Sequence, residues 1–292
     1  MSKRWIAALL LATATCLAQA EPPRPLLWKV SDADNSIYLL GSFHLLKASD
    51  YPLADSTYAA LKDAEKVVFE LSPAEMNDPA LGQRMAQAAM RTDGKTLQQS
   101  LPASTWAAFE AYAAKRKMPV ANFQGFEAWF VSLIVSITEM QAVGLDPKLG
   151  LDKHFAELAL KAGKPVAGLE TGDQQIALFD GMGELEQQQS LQDTLDEVAN
   201  IESEIDKMHA LWRAGDGDGL FAETGAEMKA DYPALYERLN RGRNLAWLPR
   251  LAAMLDDSDS DDTLVVVGAL HLLGEDGVVE ILRAKGYTVE RL

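Results

Sequence analysis

The chain has 292 residues, 48% of them hydrophobic and 24% charged, and its 43 acidic against 27 basic residues give a formal net charge of −16 at pH 7. So acidic a protein is a poor match for nucleic acid or an anionic membrane as partner. A single cysteine, Cys16, excludes a disulfide framework, so stability must rest on an ordinary core, which a chain of this length can build.

The first twenty residues, MSKRWIAALLLATATCLAQA, start basic with Lys3 and Arg4, run apolar from Trp5 to Leu11 and end on Ala18-Gln19-Ala20 before Glu21. That order predicts a secretory signal peptide cleaved after Ala20, too short to span a bilayer, and hence a periplasmic or secreted protein with no stable membrane insertion. Cleavage removes Lys3 and Arg4, taking the charge from −16 to −18. It also removes Cys16, whose neighbour Thr15 is a poor context for lipidation, and with it any thiol nucleophile.

PLLWKV and SIYLLG then flank the turn-rich SDADN, which predicts a hairpin. Tyr58 and Leu61 have helical spacing within Asp55–Ala64, and KVVFEL at 66–71 reads as a strand. From about 78 to 163 the pattern is mostly helical. Ser104 is placed as the cap of a helix through Lys115, and Asp152 as the start of one that ends at Gly163. Between them FEAWFVSLIVSITEM reads as a buried or groove-facing helix, since Ser132, Ser136 and Thr138 interrupt it. KPVAGLE at 164–170 reads as a buried strand. Leu191, Leu195, Val198, Ile201, Ile205 and Met208 recur at three and four and form one apolar stripe on a single long helix. A helix covers Pro233 to Leu255, followed by the acidic loop DDSDSDD. TLVVVGALH, a helix from about Gly274 to Lys285 and YTVERL repeat the strand, helix, strand order of the beginning. The expected fold is α/β: a central, mostly parallel sheet built from two βαβ-like halves, as one domain over residues 21–292. A large helical insertion, at about 78–163 and 172–255, is the place where substrate choice would be set.

GSFHLL at 41–46 and GALHLL at 268–273 repeat Gly-x-x-His-Leu-Leu in a chain with four histidines. In an open α/β sheet, ligands sit beyond the carboxyl ends of the strands. The predicted strands end at His44, Glu70, Glu170 and His271, which converge if the strands are parallel neighbours. Gly41 and Gly268 allow sharp turns and close approach to the backbone. Imidazoles and carboxylates together suit Mn, Fe, Co or Zn, and a metal-bound water with a nearby carboxylate would perform hydrolysis. Glu290 in YTVERL is placed like Glu70 but lies near the chain end and is left out. GDGDG at 215–219 reads as a solvated turn and DDSDSDD as a solubilising loop. His154 and His209 lie on predicted helices without partners at ligand spacing and read as surface or packing residues. Arg243 and Asn244 either solvate a helix surface or set a guanidinium fork over a carboxylate of the site.

These residues resemble the TraB/GumN family, whose wider relatives include the Tiki metalloproteases and the erythromycin-esterase and ChaN-like proteins. The matching features are LLGSFHLL with the following YPL, KVVFEL with Glu70, GLDPKLGLDKHF, KPVAGLETGDQQ, the GRN at 242–244 and VVVGALHLLGEDGVVEILRAKGY. The resemblance implies a compact fold with two halves around a shared site and supports His44, Glu70 and His271 as that site. Glu170 and Arg243 match recurring family segments. In the Tiki branch such a set is associated with divalent-metal-dependent peptide cleavage. The expectation is therefore an exported hydrolase in which His44 and His271 hold Mn, Co or Zn, Glu70 is ligand or general base, and Glu170 and Arg243 orient a peptide or other small substrate. The TraB and ChaN relatives imply an alternative from another class, a ligand-binding or regulatory protein that captures peptide or haem. GumN implies an accessory role in polysaccharide production. Nothing in the sequence sets the oligomeric state.

Overall fold

The computed structural model describes residues 21–256 and 261–292; the predicted leader and residues 257–260 of the acidic loop lie outside the described residues. The predicted hairpin is present as β1 (Leu27–Ser31) and β2 (Ser36–Ser42), paired antiparallel with Leu27 opposite Leu40. Asp32 sets its turn by accepting the backbone N–H groups of Asp34 and Asn35, each at 3.2 Å. The other strands are β3 (Lys66–Leu71), β4 (Val166–Glu170), β5 (Thr263–Gly268) and β6 (Thr288–Arg291). They form one six-stranded sheet in the order β4-β3-β5-β2-β1-β6.

In that order β4, β3, β5 and β2 are mutually parallel, so four carboxyl ends leave the sheet on one side. Only β1 runs against its neighbours. The two strand, helix, strand units interleave: β5 lies between β2 and β3, while β6 is at the far edge beside β1. β2 is buried along its whole length and β5 up to Val267, which requires cover on both faces, as parallel strands demand. β4 is the edge strand and is half-buried throughout, where the sequence led us to expect a buried one.

The longer helices are α1 (Asp55–Asp63), α2 (Pro79–Ala88), α3 (Ala103–Arg116), α4 (Ala128–Ala142) and α5 (Leu151–Lys161), then α6 (Gly172–Asp180), α7 (Glu184–Glu197), α8 (Ile201–Ala214), α9 (Gly242–Asp256) and α10 (Val278–Ala284). One core joins the sheet to α1, α5, α9 and α10 through residues such as Leu61, Phe155, Leu251 and Val279. The insertion builds a second cluster from Phe109 of α3, Val131 and Val135 of α4, and Leu191 and Leu195 of α7. Among the described residues no helix is long and apolar enough to cross a membrane.

Two helix expectations are corrected. Ser104 does not cap α3: Pro102 precedes its first residue, Ala103, and no side chain caps that end. The apolar stripe from Leu191 to Met208 belongs to two helices, because the chain breaks between α7 and α8. The break divides the stripe's work. Leu191, Leu195 and Val198 close the insertion cluster, whereas Met208 packs on the main core. GDGDG is a junction of helices and not an open turn. Gly215 takes the left-handed conformation that ends α8 (φ 69°), and Asp216 caps the short helix Gly217–Leu220.

His154 packs against Tyr51, with ring centroids 4.5 Å apart, as a packing residue should. His209 is likewise a packing residue, buried and stacked on Trp212, and it also has a charged partner. Its Nε2 donates at 2.8 Å to the fully buried Asp50, which also accepts from the Lys47 backbone N–H at 2.8 Å and from Arg213. The cluster pins the segment that follows β2 to α8, and Trp212 of α8 donates to the Gly41 carbonyl at 3.3 Å. Burial works to raise the proton affinity of Asp50, but the bonds from His209, Lys47 and Arg213 outweigh it and hold the carboxyl below its usual 3.8. A depressed carboxylate stabilises the fold fully above its unfolded pKa, and that contribution fades as pH falls through the lower folded value. Asp50→Asn is therefore expected to cost about 3 kcal/mol at pH 7, where it breaks a buried pair. In urea titrations at pH 7, 5 and 3, its gap from wild type should narrow only in the most acidic series; a gap independent of pH would refute the assignment.

Candidate functional site

All five residues expected at the site come together at the carboxyl edge of the sheet. Glu70 is the next-to-last residue of β3, His44 lies two residues past β2, His271 three past β5, and Glu170 ends β4. Arg243 reaches them from the first turn of α9. A π turn at Glu237–Arg241 precedes α9 and, by adding a residue to one turn, rephases the helix that presents Arg243 and Asn244.

Glu70 is buried at the centre. Its Oε1 accepts the Gly268 N–H at 2.7 Å, and its Oε2 accepts Arg243 Nη2 at 2.5 Å and Gln175 Nε2 at 3.3 Å. Burial opposes the charge, but His271, Arg243, His44 and the Gly268 N–H together hold the carboxyl at about 2. Arg243 is the permanent cation of that group, because burial drives His271 down to about 3 and leaves it neutral at ordinary pH. Glu170 takes the rest of the guanidinium, accepting from Arg243 Nη2 and, at 3.3 Å, from Arg243 Nε. Glu170 also accepts from Trp247 Nε1 at 3.2 Å and Gln175 Nε2 at 2.8 Å. The guanidinium lies over the Trp247 ring, 4.8 Å from its centroid.

Each imidazole is oriented by an acceptor on its far nitrogen. Asn244 donates its amide to the Asp276 carbonyl at 2.8 Å, so its Oδ1 must be what faces His271 Nδ1 at 2.7 Å. The proton of His271 therefore sits on Nδ1, and the Nε2 lone pair accepts Arg243 Nη1 at 2.9 Å, 3.9 Å from Glu70 Oε1. His44 Nδ1 faces Asp152 Oδ1 at 3.3 Å, which turns Nε2 towards the cluster. The His44 ring is half-exposed. Burial works to lower its proton affinity, but the Asp152 hydrogen bond and charge, with Glu70, raise it to about 9.

Two glycines make room for this. A Cβ on Gly268 would stand 3.1 Å from Glu70 Oε1, 3.4 Å from His271 Cδ2 and 3.7 Å from His44 Nε2, so the backbone there forms the floor between three functional groups. A Cβ on Gly150 would fall 2.3 Å from the His44 carbonyl oxygen, so only glycine lets the start of α5 approach closely enough for Asp152 to reach His44. Asp152, Asn244, Gln175 and Trp247 were not among the expected site residues. Asp152 and Gln175 lie inside GLDPKLGLDKHF and KPVAGLETGDQQ, where their segments were legible but not their roles. Asn244 was half-legible beside Arg243.

Two cavities, of about 270 and 260 Å³, flank the cluster and share His44, Leu45 and Glu70. A wider one, of about 670 Å³, edged by Glu204, Glu223 and Glu227, contains none of the strand-end residues, nor does one of about 310 Å³ beside α7. The donors suit a divalent cation in kind: a buried carboxylate and two imidazoles, each with its Nδ1 held by an oxygen acceptor, as metal-ligating histidines are held. Among the described residues, no three His, Cys, Asp or Glu side chains are already gathered as a closed ligand set. Arg243 instead bridges Glu70 and His271.

Residues 26–291 match the model of the TraB/PrgY/gumN family. The chain is 24% identical, over 249 residues and 84% of its length, to Uncharacterized protein YbaP of Escherichia coli (strain K12), of which the match covers 87%. It is similar to the same extent to the protein of that name in Shigella flexneri. No solved structure matches the chain with significance.

Proposed function

We propose, for a chain that belongs to the TraB/PrgY/gumN family, that the strand-end cluster is the active site of an exported, divalent-metal-dependent hydrolase acting on peptides. One observation carries the reading: the buried Glu70 carboxylate lies between two imidazoles whose Nδ1 atoms are each fixed by an acceptor, so that His44 turns its Nε2 to the floor at Gly268 and His271 turns its Nε2 to Arg243 and Glu70. A metal on His44 Nε2 must displace that ring's proton, and with both imidazoles then neutral the carboxylates Glu70, Glu170 and Asp152 outnumber the one cation Arg243, an imbalance that favours a bound cation. Export is supported by the basic, apolar, Ala-x-Ala pattern of residues 1–20.

His44 Nε2, His271 Nε2 and Glu70 would hold Mn, Co or Zn, which when bound supplies a water acidic enough to act near neutral pH and a Lewis acid for the scissile carbonyl. A carboxyl held at about 2 is too weak a base to match the working pH, so Glu70 suits the role of ligand and fixed charge better than that of proton acceptor. Asp152 and Asn244 keep the two rings turned to the site. Arg243, held by Glu170 and stacked on Trp247, presents donors to a substrate oxygen once its bond to His271 is exchanged.

The bridge that Arg243 makes between Glu70 and His271 favours a second reading, capture of a ligand without turnover, for there a cation already occupies the carboxylate. The test is the thermal midpoint of chelator-stripped protein with added Mn, Co or Zn, for wild type and for the double variant His44→Ala, His271→Ala. A metal that binds only the folded state stabilises it by about 2.7 kcal/mol at a hundred times its dissociation constant, enough to shift the midpoint by several degrees. A rise in wild type alone supports the metal site. If neither protein responds, the metal reading fails and capture of peptide or haem takes its place.

A further inference from the structure

The smaller of the two cavities at the site, about 260 Å³, is walled by Phe43, Met140, Met208, Leu220 and Leu270, and its floor is the strand-end cluster itself. We infer that this cavity is the subsite for one large apolar side chain of the substrate, carried by a residue that flanks the broken bond; the inference rests on the hydrolase reading above.

Position comes first. A group seated on this floor lies beside Glu70 and His271, so it belongs to a residue directly next to the reacting carbonyl. Size comes second. Cavities of roughly 150 Å³ take a benzene-sized guest and whole ligands need roughly 300 Å³ or more, so this one suits a single substituent. Chemistry comes third. Away from the floor the polar lining is Ser42 and Thr224, and both are committed: Thr224 donates to the Leu220 carbonyl at 2.6 Å, and Ser42 to Asp152 at 3.3 Å. A charged side chain held among these walls, out of reach of the floor, would lose its water and find no free polar partner.

The wall that sets the size limit comes from outside the sheet. Met140 belongs to α4 and Met208 to α8, helices of the insertion. Both side chains are unbranched and adaptable, which lets the cavity accept aliphatic and aromatic groups alike. The size limit of this cavity therefore rests on two insertion residues, Met140 and Met208.

The experiment uses the full-length mature protein with added metal and quenched-fluorescence peptides carrying Ala, Leu, Phe or Asp at each position next to the cleaved bond. Wild type should favour Leu or Phe over Ala, and Ala over Asp, by about tenfold or more in kcat/KM at one of these positions. Met208→Trp and, independently, Met140→Trp should each erase that preference, cutting the Phe peptide about tenfold while changing the Ala peptide far less. Far-UV circular dichroism and the thermal midpoint report whether each variant is folded, and one folded variant suffices. Cleavage with no apolar preference, or with a preference that both folded variants retain, overturns the subsite and leaves the hydrolase standing. Calorimetry with N-acetyl-phenylalanine amide and N-acetyl-alanine amide separates the two ideas if no peptide is cut. Tighter binding of the phenylalanine amide, lost in the variants, keeps the pocket and removes the hydrolase. Equal binding of the two amides removes the pocket as well.

Discussion

Arg243→Leu is expected to lower the stability of the folded protein by about 3–5 kcal/mol, the cost of leaving buried charges without their partner. Glu70 and Glu170 are each about nine-tenths buried at the side chain, and Arg243 is the cation that both share. Without it, two buried carboxylates keep only Gln175, Trp247 and the Gly268 N–H as donors. Arg243→Lys should recover only part of the loss. An ammonium keeps the charge but cannot reach Glu70, Glu170 and the His271 lone pair at once. Removing one carboxylate in the same background, as in Glu170→Gln with Arg243→Leu, should restore a measurable share. Urea titration of the four proteins checks this; a single-variant cost below about 1 kcal/mol, the range of exposed pairs, would mean that the network is not a buried one.

Glu70→Gln is expected to reduce peptide turnover by a factor of about 10² to 10⁴, the range lost when a positioned acid, base or charge is removed. The amide is isosteric and can still accept the Gly268 N–H, so the fold survives, although its NH₂ opposes a donor of Arg243. Asp152→Asn and Asn244→Ala should fall less, by about 10- to 100-fold, because they orient the imidazoles and do not touch the substrate. Steady-state rates set beside thermal midpoints separate lost chemistry from lost structure. A Glu70→Gln protein that is folded and fully active would remove the carboxylate from the mechanism, and with it the role proposed for the cluster.

Much of this site was readable because its residues sit at strand ends. The strands KVVFEL and TLVVVG are short, continuous, apolar and β-branched runs, and the polar residue that closes or follows each is conspicuous. The repeat of Gly-x-x-His placed both imidazoles without any knowledge of strand order. Order itself was not readable: parallel pairing of β5 between β2 and β3 is a long-range choice that no local pattern encodes. The break between α7 and α8 was hidden for a related reason, since the apolar spacing continues across Val198 to Ile201 while the packing partners change. Asp152 and Asn244 escaped because helix starts and helix faces are full of such residues, and only tertiary contact distinguishes one that holds a histidine. The π turn before α9 has no sequence signal in LNRGRN.

The central place of β5 has a consequence for how the chain is made. β2 and β3 precede β5 in the chain by about two hundred residues, yet they do not pair with each other; each pairs with residues 263–268. Until those residues arrive, two apolar strands have open edges and the floor at Gly268 does not exist. Loops of about two hundred residues must then close in one late event, which makes folding slow and the incomplete chain prone to aggregate. A protein cut short before Thr263 would lack the element that joins its halves, whatever else it had folded. Residues 263–268 are thus what joins β2 to β3 and lays the floor beside Glu70, and a chain translated only as far as Asp262 holds neither.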